Sequence, residues 1–166
     1  MALEIELKFL LAAEPERLAE NGIIRILTTQ RIEQTYLAID ETQEVRVRRI
    51  VDAATGEVTH THTFKNGNGL SREEIEYGIT AGIYGQLTEG RGLVPLTKDR
   101  ITAEWNGRKV EIDRYDQIRL TVLEAEFDSL EAATAFAPPD WFGKDISSER
   151  QYSNKKVWRD LQNRGR

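Results

Sequence analysis

Alternation of charged and apolar residues restricts this chain's fold more than any other feature. In "EIELKF", Glu4, Glu6 and Lys8 hold one parity while Ile5, Leu7 and Phe9 hold the other. Successive side chains of a β-strand point to opposite faces, so the segment reads as a ribbon with one charged side. The pattern, with β-branched content, recurs over 3–11, 31–39, 44–51, 57–65, 71–78, 98–105, 108–115 and 119–127, and predicts eight strands. Turn chemistry separates several of them: "AATGE", "KNGNGLS" and Asn106-Gly107 in "WNGRK", the strongest short hairpin signal. Most neighbours in sequence are therefore expected to be antiparallel neighbours in space.

Helices fill the remainder. "EPERLAENG" carries Pro15 in its first turn and Gly22 as a stop. "TAGIYGQLTEG" follows Thr80 and is weakened by Gly82 and Gly85. "DSLEAATAFAPP" begins at Asp128 or Ser129 and ends before Pro138-Pro139, and "SNKKVWRDLQNRG" is capped by Ser153 and stopped by Gly165. Antiparallel strands with interspersed helices make the fold class α+β.

The 166 residues, without linker or repeat, are read as a single domain, 1–166, large enough for a real core. A net charge of −5 argues against nucleic acid as the main partner. The absence of cysteine excludes disulfides and thiolate metal sites and fits a reducing compartment. With no signal peptide visible and no apolar run near the roughly 20 residues of a membrane span, a cytoplasmic protein off the membrane is the expectation.

The charged faces carry the functional information. Arg46 and Arg48 oppose Val45 and Val47, Lys65 closes the Thr59, Thr61 and Thr63 face, and Arg72, Glu74 and Glu76 oppose Ile75 and Tyr77. Lys98 and Arg100 oppose Ile101 and Ala103, Glu111 and Asp113 oppose Val110 and Ile112, and Glu124 and Glu126 oppose Leu123 and Ala125. A one-sided wet sheet would give this alternation. Two details favour an enclosed lining. The face is nearly pure charge, and like charges repeat at i, i+2, roughly 6.5–7 Å apart on a strand. If the strands curl into a barrel with these faces inward, the apolar faces point outward under the helices. Only a wide, hydrated bore could hold such groups, since unpaired buried charges cost several kcal/mol each. Carboxylates without Cys and with little His are hard oxygen ligands suited to Mg2+ or Mn2+, and the bases suit phosphates.

Glu4-x-Glu6-x-Lys8 resembles the ExExK signature of the CYTH superfamily, the triphosphate tunnel metalloenzymes. "TYL", "RVRR", "TFK", "SREEIE", "LTKDR", "VEIDRY", "LEAEF" and "QYSNKK" follow in that family's usual order, so the chain resembles a short, bacterial-type, single-domain member. The resemblance implies an eight-stranded antiparallel closed β-barrel, a tunnel, with helices packed outside. It implies metal binding by Glu4, Glu6, Glu124 and Glu126, with Mg2+ or Mn2+ as cofactor and two ions expected. It implies a triphosphate cradle of Lys8, Arg46, Arg48, Lys65, Arg72, Lys98 and Arg100. Glu74, Glu76, Glu111 and Asp113 would orient these bases or assist the second metal, and Tyr36 and Lys65 would position the attacking water, with Glu126 counted in the catalytic set. Gln151 stands where the family has a basic residue before the tyrosine, leaving the role of Arg150 open.

Metal-dependent hydrolysis of inorganic tripolyphosphate is the leading expectation, since no aromatic motif is assignable to a base or thiazolium ring. Trp105 faces away from the charged set and "PPDWFG" reads as a packing corner. The alternatives are a class IV-type adenylate cyclase, a thiamine or nucleoside triphosphatase on the same tunnel, or a non-catalytic polyphosphate-binding module; a homodimer is compatible with any of them. His60 and His62 have the opposite parity to Lys65 and are expected outside the site.

Overall fold

The computed structural model describes residues 2–164. Its strands are β1 (Ala2–Leu10), β2 (Arg25–Ile39), β3 (Gln43–Asp52), β4 (Val58–Asn66), β5 (Ser71–Gly78), β6 (Leu96–Trp105), β7 (Arg108–Tyr115) and β8 (Leu120–Glu126). They close into a barrel in the order β1-β5-β4-β3-β2-β6-β7-β8. Every pairing is antiparallel, and β8 closes on β1. Five pairings join consecutive strands. The other three, β1 with β5, β1 with β8 and β2 with β6, are long-range.

β2 begins six residues before the expected 31. A register shift between Ile26 and Thr28 against β6 breaks the alternation there. Such a bulge flips the side-chain parity, so the period of two is unreadable across it. The β6–β7 hairpin turns through Asn106 (φ 51°) and Gly107 (φ 74°), both in the left-handed region that a tight hairpin of this kind demands.

Four helices occupy the connections: α1 (Pro15–Glu20), α2 (Ala81–Thr88), α3 (Leu130–Ala135) and α4 (Asn154–Asn163). The hydroxyls of Thr80, Ser129 and Ser153 cap α2, α3 and α4 by accepting from the amides of Ile83, Ala132 and Lys156. The expected stop at Gly165 lies outside the described residues. α1, α3 and the stretch 136–142 cover the outward faces of β1, β6, β7 and β8, burying Ile5, Leu7, Phe9, Ile101, Val110, Ile112 and Leu123. Trp105 joins that outer layer, stacked edge-on against Trp141.

α4 departs from the expected outside packing. Val157 and Trp158 bury against Tyr36, Leu96, Tyr115 and Val122, which come from the inward parity of four strands. The helix therefore seals part of one end of the bore with apolar contact. The outward faces of β4 and β5 are less covered: His60 packs on Tyr84 of α2, His62 on Tyr77, and Tyr77 stays half exposed.

Candidate active site

The inward parity of the strands lines one cavity of about 1360 Å³. Strand order sorts its charges. β7, β8, β1 and β5 are consecutive around the barrel and supply Glu111, Glu124, Glu126, Glu4, Glu6, Glu74 and Glu76. The opposite arc, β4, β3, β2 and β6, supplies Lys65, Arg46, Arg48 and Arg100. Lys8 and Arg72 are the bases within the acidic arc, and Glu44 is the acid within the basic one.

Within the acidic arc, carboxylate oxygens of Glu4, Glu6 and Glu126 lie within 4.8 Å of one another. The pairing of Glu6 with Glu126 across β1 and β8 brings them together. Burial and the neighbouring Glu124 and Glu4 push the Glu6 carboxyl well above its usual range. Burial, Glu111 and Glu4 also raise Glu126. Glu124, opposite Lys8 in register, is deeper; burial and Asp113 push it up, but Lys8, Arg100 and Lys98 outweigh them and hold it low. Three close carboxylates, all hard oxygen donors, two of them raised by burial and by their acidic neighbours, fit a divalent cation.

The bases divide by partner. Lys65 Nζ donates to Glu4 at 2.8 Å and lies 3.2 Å from Glu74. Burial raises the Glu4 carboxyl, but Lys65 overrides it and brings it to about 2. Arg72 lies 3.4 Å from Glu44. Arg100 bonds Asp113 through two nitrogens, each at 2.8 Å, and Glu111 at 2.7 Å. Lys98 bonds Asp113 at 2.7 Å. Lys98 and Asp113 point inward yet sit beneath the cavity wall with no exposed surface. Burial holds the Lys98 ammonium down at about 7, although Asp113 acts the other way. Among the described residues, Arg46 and Arg48 pair with no carboxylate, and both are buried. Burial, Arg46 and Arg100 bring the Arg48 guanidinium down to about 10. Two buried, unpaired arginines make the basic arc a site for an anion.

Segment 143–147 holds β1 in place: Gly143 and Ile146 donate to the carbonyls of Leu10 and Lys8, and the Lys8 amide donates to Ser147 Oγ. Lys8 Nζ donates to the Tyr152 carbonyl at 2.8 Å. A single 3-10 turn, Arg150–Tyr152, brings Arg150 to the cavity wall. Tyr36 stacks on Trp158 at 5.5 Å, and its hydroxyl has no hydrogen-bond partner among the described residues.

The sequence reading missed Glu44, the inward residues of β2 other than Tyr36, and the wall formed by residues 146–159 apart from Arg150, whose role it left open. Glu44 shares parity with Arg46 and Arg48, so the period of two was signal enough. The third element leaves no periodic trace, because loop and helix reach the bore from its end.

Residues 2–156 match the model of the CYTH domain family. The inorganic triphosphatase of Nitrosomonas europaea is 32% identical over 161 residues, covering 93% of this chain and 95% of that protein. The inorganic triphosphatase of Acetivibrio thermocellus is 27% identical, covering 95% and 94%. A solved crystal structure of an inorganic triphosphatase superposes with a TM-score of 0.59 at 28% identity, covering 95% of each chain.

Proposed function

The chain belongs to the CYTH domain family, and from that premise we propose that it hydrolyses inorganic tripolyphosphate to pyrophosphate and phosphate in its bore, dependent on Mg2+ or Mn2+. The observation that carries this reading is the opposition of two arcs in one cavity. The carboxylates of Glu4, Glu6 and Glu126 face the buried, unpaired guanidinium groups of Arg46 and Arg48. Binding of an anion alone would need the bases but not the converging carboxylates, which disfavours a mere polyphosphate-binding module.

Glu4, Glu6 and Glu126 would hold the divalent ion, with Glu124 behind them. When bound, that ion offsets phosphate charge and lowers the pKa of a coordinated water. Arg46, Arg48, Arg100 and Arg72 would hold phosphoryl oxygens with forked N–H donors, and Lys8 and Lys65 with point charges. Held in line against the acidic arc, the chain of phosphates meets fixed donors at the oxygens where charge develops. Glu111, Glu74 and Glu76 would orient the bases beside them. Lys98 would act with Asp113 from beneath the wall, fixing Arg100. Lys65 and Tyr36 remain the candidates to orient the attacking water, and residues 1–166 act as one catalytic domain.

Purified protein incubated with Mg2+ or Mn2+ and, separately, tripolyphosphate, ATP and thiamine triphosphate tests this. Phosphate release from tripolyphosphate well above the other two is expected. Cyclic AMP with pyrophosphate from ATP, or preferential thiamine triphosphate cleavage, would overturn the substrate assignment. Binding without turnover under either metal would overturn the enzyme.

A further inference from the structure

We propose that Gln34 is a positioning residue that aims the Arg48 guanidinium into the bore while leaving its charge uncancelled; this rests on the triphosphatase reading above. Arg48 Nε donates to Gln34 Oε1 at 3.1 Å, and Gln34 is fully buried at 0% exposure. The contrast with other inward bases is chemical. Lys65 is held by Glu4 and Glu74, Arg72 by Glu44, and Lys98 and Arg100 by Asp113. A carboxylate orients a cation but also cancels its charge, which weakens its pull on a second anion. A neutral amide oxygen orients it without cancelling anything.

β2 is suited to this role. Its inward residues, Gln30, Ile32, Gln34 and Tyr36, carry no formal charge, yet it lies between Arg46 and Arg48 on β3 and Lys98 and Arg100 on β6. The amide orientation is fixed, because Arg48 Nε–H can only donate and must meet the oxygen. Gln34 Nε2 then remains buried without a hydrogen-bond partner among the described residues, as does Arg46 Nε. Buried unpaired donors are uncommon and need an explanation; here Arg46 and Arg48 line the cavity where a phosphate chain would run, and Gln34 lies behind them, beneath the wall.

Gln34→Glu is the discriminating variant, since it keeps shape and acceptor, adds a negative charge against Arg48 and removes only the unpartnered Nε2 donor. Gln34→Met keeps neutrality and approximate volume and removes the acceptor. Binding of inorganic tripolyphosphate is read by titration calorimetry with and without Mg2+, and stability by thermal melting. The expected result for Gln34→Glu is a melting temperature at or above that of the unmutated protein, with affinity weakened about tenfold or more. Gln34→Met should lose less affinity, about threefold, at near-normal melting temperature. A packing role predicts the reverse order, with Gln34→Glu binding normally and Gln34→Met unstable, and would overturn the proposal. Should Gln34→Glu fail to fold, Gln34→Met decides: affinity within about twofold of the unmutated protein overturns the proposal, and a larger loss at unchanged stability supports it. If the unmutated protein itself does not bind tripolyphosphate, the triphosphatase reading falls first and takes this inference with it.

Discussion

Burial, reinforced by repulsion among like charges, acts most strongly on single residues in the bore. Glu6 is buried against Glu4 and Glu124, so its ionised form is disfavoured without a cation. Glu6→Gln removes one member of the repelling set while keeping its shape. It should abolish turnover and the rise in melting temperature produced by Mg2+ or Mn2+, while the metal-free protein melts at the same or a higher temperature. A normal metal-induced rise in that variant would remove Glu6 from the metal site. Arg48→Ala should weaken tripolyphosphate binding by roughly 10–100-fold, the worth of a charged hydrogen-bonding group, with metal dependence unchanged. Parallel loss of metal and anion binding would make Arg48 structural instead. At this scale the sequence was informative about face but not about depth. Lys98 and Arg100 share parity and charge, yet Arg100 lines the cavity and Lys98 lies beneath its wall. Depth depends on how the strands are staggered around the barrel, which no single strand encodes.

Two elements fix the site's geometry through contacts that can be broken one at a time. β6 and β7 are tied inside the barrel by Asp113, which holds both Lys98 and Arg100. Asp113→Asn would leave two buried cations short of their counter-ion and should cost about 3–5 kcal/mol in chemical denaturation. A cost below about 1 kcal/mol would mean that water reaches these groups despite their burial. The stretch after α3 is docked onto the end of β1 at Gly143, where an added Cβ would collide with the Leu10 carbonyl oxygen. Gly143→Ala should therefore destabilise the fold by about 1–3 kcal/mol and, through the Ile146 and Ser147 contacts to Lys8, weaken tripolyphosphate binding. Unchanged stability would mean that the segment shifts freely. Hairpins and capped helices were legible beforehand, because Asn106-Gly107, Thr80, Ser129 and Ser153 act through neighbours in sequence. The early start of β2 and the end-on packing of α4 were not, since a bulge erased the period and a helix's apolar stripe does not say what it covers.

For the whole molecule, burial of unpaired Arg46 and Arg48 opposite a carboxylate arc makes the fold itself responsive to ligand. An anion that binds only the folded state adds about 2.7 kcal/mol of stability at a hundredfold excess over its Kd. Tripolyphosphate with Mg2+ should then raise the melting temperature by roughly 5–10 °C, and orthophosphate at equal charge concentration by much less. Equal rises would point to general anion binding in place of a site fitted to a chain of phosphates. The sequence alone determined which residues share a face, that the faces are charged and apolar, and that the charged set suits a divalent ion and phosphate. It could do so because side-chain alternation is a property of each strand by itself. Only the tertiary structure decided that the carboxylates form one arc and the unpaired arginines the other. That separation follows from β1 pairing with β5 and β8 and from β2 pairing with β6, long-range contacts accompanied by burial of the outer faces of β1, β6, β7 and β8.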